Sequence, residues 1–357
     1  MSDPIYTPIL KTKRGEAKAL TQLEVQVKRS IVPFFDILAL KAEASNGNDV
    51  HEHMDKQTTN IVSAWKQRGH CYVDLFDVTP ASRGINGAHP ATIVYEKLAA
   101  GLVEVIPVVG IERDIAYKLA VRKLVVAGAD ALAVRLESED IQLPSMLVSR
   151  VTRLVSEIGA ANLPLHIFLD FRSIEHIAYD DIQLQVMKAM SELRKLNPAR
   201  IVFAASAMVS NMGNYKKETL NILPRRDFMV WGLISKIHTD VDYADYGVVH
   251  PDYFDFDPRM IKPAAKIRYT SDKEWLIVKG VRWQSDTSQH HRLSRMLCAK
   301  SQFRRDDSWG GEYIVSAANG RQKYGTLETW VTIDQNNHIT HTVRQLSRIA
   351  TSKGVRV

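Results

Sequence analysis

The 357-residue chain reads as an α/β protein, a TIM-like (β/α)8 barrel with a C-terminal β-hairpin/α+β appendage over the barrel mouth. Three observations predict this. A buried strand ending in charge and followed by a helical pattern recurs about eight times before residue 250. The strand runs are continuously apolar rather than alternating, as strands covered on both faces are. No Gly-rich dinucleotide turn follows the first strand, which disfavours a doubly wound open sheet.

The first unit is Tyr6 to Leu20. An apolar run gives way to Lys11, Thr12, Lys13 and Arg14, Gly15 turns the chain, and Glu16 opens a helical pattern. The apolar run 31–40, with Asp36 inside it, is the second strand; after the polar linker 41–49 a helix spans Val50 to Arg68, capped by Asp49 or Asn48. Strands at 71–78, 104–111, 131–137, 163–172 and 200–208 follow. They alternate with helices at 89–101, 113–128, 144–158 and 181–196, and a helix at 226–237 precedes a short eighth strand at 243–249.

The pattern changes near residue 262, which divides a barrel domain (1–262) from an appendage (263–357) packed on it and not independent. Residues 265–283 alternate like a hairpin turning at Ser271–Asp272. A His-rich helix start at 289–300 follows, then a loop, a strand-like stretch at 312–318, and a final segment in which His338 and His341 fall on opposite faces of a strand.

The composition sets the functional classes. A hydrophobic fraction of 45% supports a large core, and a net charge of +7 suits a polyanionic partner such as nucleic acid or nucleotide. Cys71 and Cys298 lie far apart with no CxxC pair, as reduced thiols of a cytoplasmic protein do. No apolar run approaches the roughly 18 residues of a membrane span. No Walker loop, HExxH or GxSxG is present.

In barrels of this type the working residues sit at the C-terminal strand ends. Those ends carry Lys11 and Lys13; Asp36; Asp74 and Asp77; Arg135 and Glu137; Asp170 and Arg172; Ser206; and Asp245 with Tyr246. The ring of cations and carboxylates is either a set of structural ion pairs or an active site, because unpaired charge is costly in an apolar strand. Asp170 and Arg172, two apart, fall on one face and suit an ion pair or a base beside an anion clamp. As an active site, Lys11, Lys13, Arg135, Arg172 and Arg268 bind the anion; Glu16, Asp74 or Asp170 acts as general acid or base, with Tyr246 or His291 assisting proton transfer. No cofactor is required, although Asp74, Asp77, Asp170 and Asp245 suit a magnesium ion with waters. Lys279, Arg282, Arg304 and Arg305, interleaved with Trp275, Trp283 and Trp309, are the candidates for nucleic-acid contact, against the alternative of a hairpin whose tryptophans seal the barrel.

These residues carry a resemblance to the beta-protein family, named after a protein of a tailed bacteriophage. It rests on Tyr6, Pro8, Leu10, Lys11, Lys13, Gly15, Glu16, Ala19 and Leu20; on IVPFFDI; on Ala244 to Gly247; on Ile267 to Ile277; and on Trp330, His338 and His341. The chain has Asp36 where members often carry Glu, and Ala244 where Gly is usual. The resemblance implies a barrel-like fold and a role in phage or phage-host (defence-related) biology, without a settled activity or catalytic residues. The expected function is therefore an enzyme acting on a phosphate-bearing substrate, a nucleotide or a nucleic-acid end. The alternative is a non-catalytic module binding nucleic acid or a protein partner of a phage-host system.

Overall fold

The computed structural model describes residues 4–40, 46–252, 263–305 and 307–352. Eight parallel strands close a barrel: β1 (Tyr6–Lys11), β2 (Phe34–Asp36), β3 (His70–Asp74), β4 (Glu104–Gly110), β5 (Leu132–Leu136), β6 (Leu165–Ser173), β7 (Arg200–Ser206) and, after an inserted strand β8 (Thr219–Pro224), β9 (Val241–Asp245). β9 pairs with β1, with Tyr6 opposite Tyr243, and closes the ring. β8 instead joins β10 (Ala264–Thr270) and β11 (Glu274–Arg282) in a three-stranded antiparallel sheet.

Around the barrel run α1 (Arg14–Thr21), α2 (Val25–Arg29), α3 (Gly47–Trp65), α4 (Pro90–Ala100), α5 (Ile115–Val126), α6 (Ser138–Ile141), α7 (Pro144–Ile158), α8 (Tyr179–Leu193) and α9 (Arg226–Ile237). Then come α10 (His290–Cys298), α11 (Trp309–Ala318) and α12 (Leu327–Ser352). The cap of α3 is Asn46, whose Oδ1 accepts from the amides of Asn48 and Asp49, rather than either of those two residues. Part of the polar linker (41–45) and the residues before the domain boundary (253–262) lie outside the described residues.

Two core layers follow from the two-residue period of the strands. Ile9, Phe34, Tyr72, Val108, Ala133, Phe168, Val202 and Ala244 fill the barrel interior. Their neighbours, among them Leu10, Phe35, Val73, Val134, Leu169 and Phe203, pack outward against the helices.

The C-terminal segment departs from the sequence reading. Residues 312–318 belong to α11, and the final segment is a helix of 26 residues, not a strand. Its β-branched and short polar residues look strand-like, but Thr332 to Val343 are buried on every side of α12. A helix covered all round shows no one-sided apolar stripe. The helix lies beside α1, where Thr332 Oγ1 donates to the Gly15 carbonyl and Asn336 Nδ2 to that of Ala19. The β10–β11 sheet and α11 cover it from the other direction. Among the described residues no helix is long and apolar enough to cross a membrane.

Candidate functional site

The interior face of the barrel ends at its C-terminal rim in a closed ionic network centred on Arg135. Its Nε donates to Asp170 Oδ2 (2.8 Å), Nη1 to Asp36 Oδ1 (2.7 Å) and Asp74 Oδ2 (2.9 Å), and Nη2 to Tyr246 Oη (2.7 Å). Nη2 also lies 2.7 Å from Asp170 Oδ2. Tyr246 Oη donates in turn to Asp170 Oδ2 at 2.5 Å. Every guanidinium N–H thus has a protein partner, and Arg135, Asp36 and Asp74 are wholly buried. Burial pushes the Asp36 carboxyl upward, but Arg135, Lys11 and Arg172 outweigh it and hold it well below the usual carboxylate range.

This geometry corrects several expectations. Arg135 has no donor left for a substrate anion. Tyr246 is buried, and burial keeps its hydroxyl protonated far above neutrality, so it acts as a tether rather than a proton carrier. Of the four carboxylates expected to suit magnesium, Asp74 and Asp170 instead hold the Arg135 guanidinium, and Asp77 accepts from Lys11. Asp245 leaves the set, because it points to the outer face of the sheet. There it accepts from Tyr6 Oη (2.6 Å) and Tyr243 Oη (2.8 Å) and lies 3.0 Å from His338 Nε2. No group of three or more His, Cys, Asp or Glu arranged for a metal occurs among the described residues.

Above the network lies a partly exposed rim. Asp77 belongs to the turn after β3, so it joins Asp74 on the same side: Lys11 Nζ donates to Asp36 Oδ2 (3.0 Å) and to Asp77 Oδ2 (2.6 Å). Arg172 does not form the expected side-chain pair with Asp170; only its backbone amide donates there, at 2.8 Å. The β6–β7 register shifts at this point and Arg172 adopts φ +51°. Its side chain turns back over Phe76, 4.3 Å from the ring centroid, and reaches Asp252 at 2.8 Å. Arg113, bonded to Asp74 at 3.0 Å, lies 4.9 Å from the same ring.

A second cluster, beside the rim, gathers Lys13 and Glu16 of the β1–α1 unit, Lys266 and Arg268 of β10, and Asp334 of α12. Arg268 Nε donates to Asp334 Oδ2 (2.9 Å) and Nη1 to the Val248 carbonyl (2.9 Å). Gln335 Oε1 accepts from the Val248 amide at 3.0 Å. Gly247, at φ +63°, permits this approach, since an added Cβ would collide with the Gln335 amide. Glu16 is only 1% exposed, and no described side chain donates a hydrogen bond to either carboxylate oxygen. Burial lifts Glu16 to about 7 against the Lys13 charge, a hydrogen bond from the Lys11 backbone, and the charges of Lys11 and Arg268. Burial lowers Lys13, and it takes Lys266 down to about 8 with help from Arg268. Asp334 rises to about 6, burial outweighing Arg268, and its Oδ1 is unpartnered.

The structure thus gathers Lys13, Glu16 and Arg268 in one cluster and Arg135, Asp74, Asp170 and Tyr246 in the ionic network, with Lys11 and Arg172 at its rim, and places the others elsewhere. His291 lies on α10, its Nε2 2.8 Å from the Gln322 carbonyl and its ring against Tyr324. Lys279 is held by the carbonyls of Met212, Gly213 and Tyr215 at 2.6–3.1 Å, so its ammonium is withdrawn from any phosphate backbone. Arg304 pairs with Asp272 at 2.7 Å; Arg282 and Arg305 are exposed. Trp275 is fully buried, against His338, and offers no stacking surface. His338 and His341, now one helical turn apart, face different carboxylates: Asp245 for the first, Asp272 and Asp307 for the second.

Sequence reasoning missed Lys266, Phe76, Arg113 and Asp334. Lys266 stands two before Arg268 on one strand and therefore shares its face, a signal that was available. Asp334 sat in the stretch misread as a strand. Among curated proteins no match to the chain was found. The profile of the family described as Beta protein matches residues 6–344, nearly the whole sequence, and the chain belongs to that family.

Proposed function

We propose that the barrel acts on a phosphate-bearing small molecule, with the anion held by Lys13, Lys266 and Arg268 and with Glu16 as the acid or base. The phage-host setting implied by the family resemblance is part of this reading. The observation that carries it is Glu16: a carboxyl with no side-chain hydrogen-bond donor, buried among cations and poised at about 7. A proton donor or acceptor works best when its pKa lies near the operating pH, and clustered perturbed groups beside a barrel mouth are where function is sought. The Arg135 network supports the reading from the opposite side, since a complete ion cage can hold the strand ends rigid beneath a site.

The test is a melting-curve screen at low salt with inorganic phosphate, ribose 5-phosphate and nucleotides. A ligand at a hundredfold excess over its Kd adds about 2.7 kcal/mol of stability. Binding of an anion beside Glu16 favours its protonated form, so affinity for phosphate compounds should fall as pH rises through about 7. Glu16→Gln should flatten that dependence, and Lys266→Met should abolish binding. A phosphate affinity indifferent to Lys266→Met, or equally pH-dependent in Glu16→Gln, would refute the assignment.

A further inference from the structure

We infer that the Arg172–Phe76 rim is a nucleobase platform, which makes the phosphate-bearing ligand a nucleotide. The inference rests on the reading of the Lys13–Lys266–Arg268 cluster as the phosphate site. It begins from backbone strain: Arg172 is a non-glycine residue at φ +51°, placed where β6 is bulged between Asp170 and Ser173. Such conformations are costly and persist where the surroundings over-determine them, characteristically at ligand clamps. Here the guanidinium lies over Phe76, 4.3 Å from its ring centroid, and reaches Asp252 instead of pairing with Asp170.

Phe76 backs this guanidinium. Arg172, Arg135 and Arg113 all lie within 4.9 Å of its ring centroid. Arg135 is sealed below, whereas the Arg172 side chain keeps 17% exposure and Asp77 keeps 13%. A guanidinium plane supported by an aromatic ring on one side is a stacking surface for a second planar ring on the other. Arg172 Nη1 and Arg113 Nε are buried without hydrogen-bond partners. Each guanidinium already carries a carboxylate, Asp252 for Arg172 and Asp74 for Arg113. The remaining N–H groups, two on Arg172 Nη1 and one on Arg113 Nε, therefore suit neutral acceptors, such as the carbonyl oxygens and ring nitrogens of a base, better than a second full anion. Asp77 and Glu137 supply acceptors for exocyclic amines at the same level.

The two halves are contiguous. Lys11 bonds Asp77, which lies 3.8 Å from Arg172, and the Lys11 charge also acts on Glu16. A ligand with a phosphate beside Glu16 and a planar base over Arg172 follows this line across the mouth.

The experiment compares Kd values of adenosine 5′-monophosphate, uridine 5′-monophosphate, ribose 5-phosphate and inorganic phosphate for the full chain. Three variants accompany it. Arg172→Gly relieves the backbone while removing the plane, Arg172→Lys keeps the charge without the plane, and Lys266→Met addresses the phosphate site. At least one nucleotide should bind the wild type tenfold or more tightly than ribose 5-phosphate. That preference should vanish in both Arg172 variants, with Arg172→Gly melting no lower than wild type. Equal binding of nucleotides and ribose 5-phosphate by wild type, or a preference surviving in both variants, overturns the platform. Ribose 5-phosphate binding that is lost in Lys266→Met would then leave the phosphate site standing. If no phosphate compound binds, both readings fall together.

Discussion

The Arg135 ring and the Glu16 cluster are neighbours at one end of the barrel, both buried and both highly charged, and they are built on opposite rules. In the ring every donor of the guanidinium is matched and the carboxylates surround a single cation. In the cluster the Glu16 carboxyl sits among cations with no side-chain donor, and Asp334 Oδ1 and Gln335 Nε2 are bare. Buried polar groups are normally paired, and an unpaired one carries a free-energy cost of about 1–3 kcal/mol. Complete pairing suits a structural device; the incomplete pairing beside the rim is what the proposed phosphate site rests on.

The difference can be broken from the ring side first, where the largest effect is expected. Arg135→Met removes the cation shared by Asp36, Asp74 and Asp170 and leaves only Lys11 beside Asp36 and Arg113 beside Asp74. Removing one partner of a buried ion network costs about 3–5 kcal/mol, so denaturant unfolding should show a loss at least of that order.

The cluster should respond with the opposite sign. Glu16 is raised from 4.5 to about 7, so the folded state binds its proton more tightly than the unfolded state does. Stability then falls as pH rises from about 4.5 to 7 and stays lowered above that. Glu16→Gln should therefore stabilise the protein by an amount of order 3 kcal/mol at pH 8, with the gain shrinking towards pH 5. Asp36 behaves in reverse: its contribution is present above its unfolded pKa and is lost as pH falls towards its depressed folded value. Urea melts across pH 4 to 8 separate the two trends.

Smaller effects sharpen the same contrast among the basic residues of the appendage. Lys279→Met abandons three carbonyls around a buried ammonium and should cost about 1–3 kcal/mol. Arg282→Ala, at an exposed position, should stay within about 0.5 kcal/mol of wild type in the same thermal assay. If the two variants were equally neutral, the carbonyl cage would not be a structural contact.

The barrel was legible because its strands are apolar on both faces and its helices amphipathic, so that the periods of the chain announced the layers. Helices α7 and α9 begin and end where the pattern placed them. The ring was legible as a set of residue types at strand ends, but not as a network, because one residue decides which face a side chain takes. Asp245 and Tyr246 are adjacent, yet the first serves the outer layer with His338 and the second the inner one with Arg135. β8 was missed since it lies on the edge of the small sheet, with no fully buried side chain and no continuous apolar run. α12 was misread because its surroundings, not its periodicity, determine it: a helix buried on all sides by polar residues carries no amphipathic signature.

That helix also sets a temporal constraint on the molecule. The Thr332–Gly15 and Asn336–Ala19 contacts each span 317 residues of sequence, and Glu328 pairs with Arg14 and Lys18 on α1. Contacts of such separation form late, because the loop they close must first be ordered at an entropic cost. During synthesis the barrel strands emerge well before their last covering helix, so α1 waits with one flank bare until residues 327–346 leave the ribosome. Glu16, Arg268 and Asp334 come from the first helix, the late sheet and that last helix. The cluster thus arises only once α12 has joined α1 and the small sheet, after the barrel strands have been synthesised.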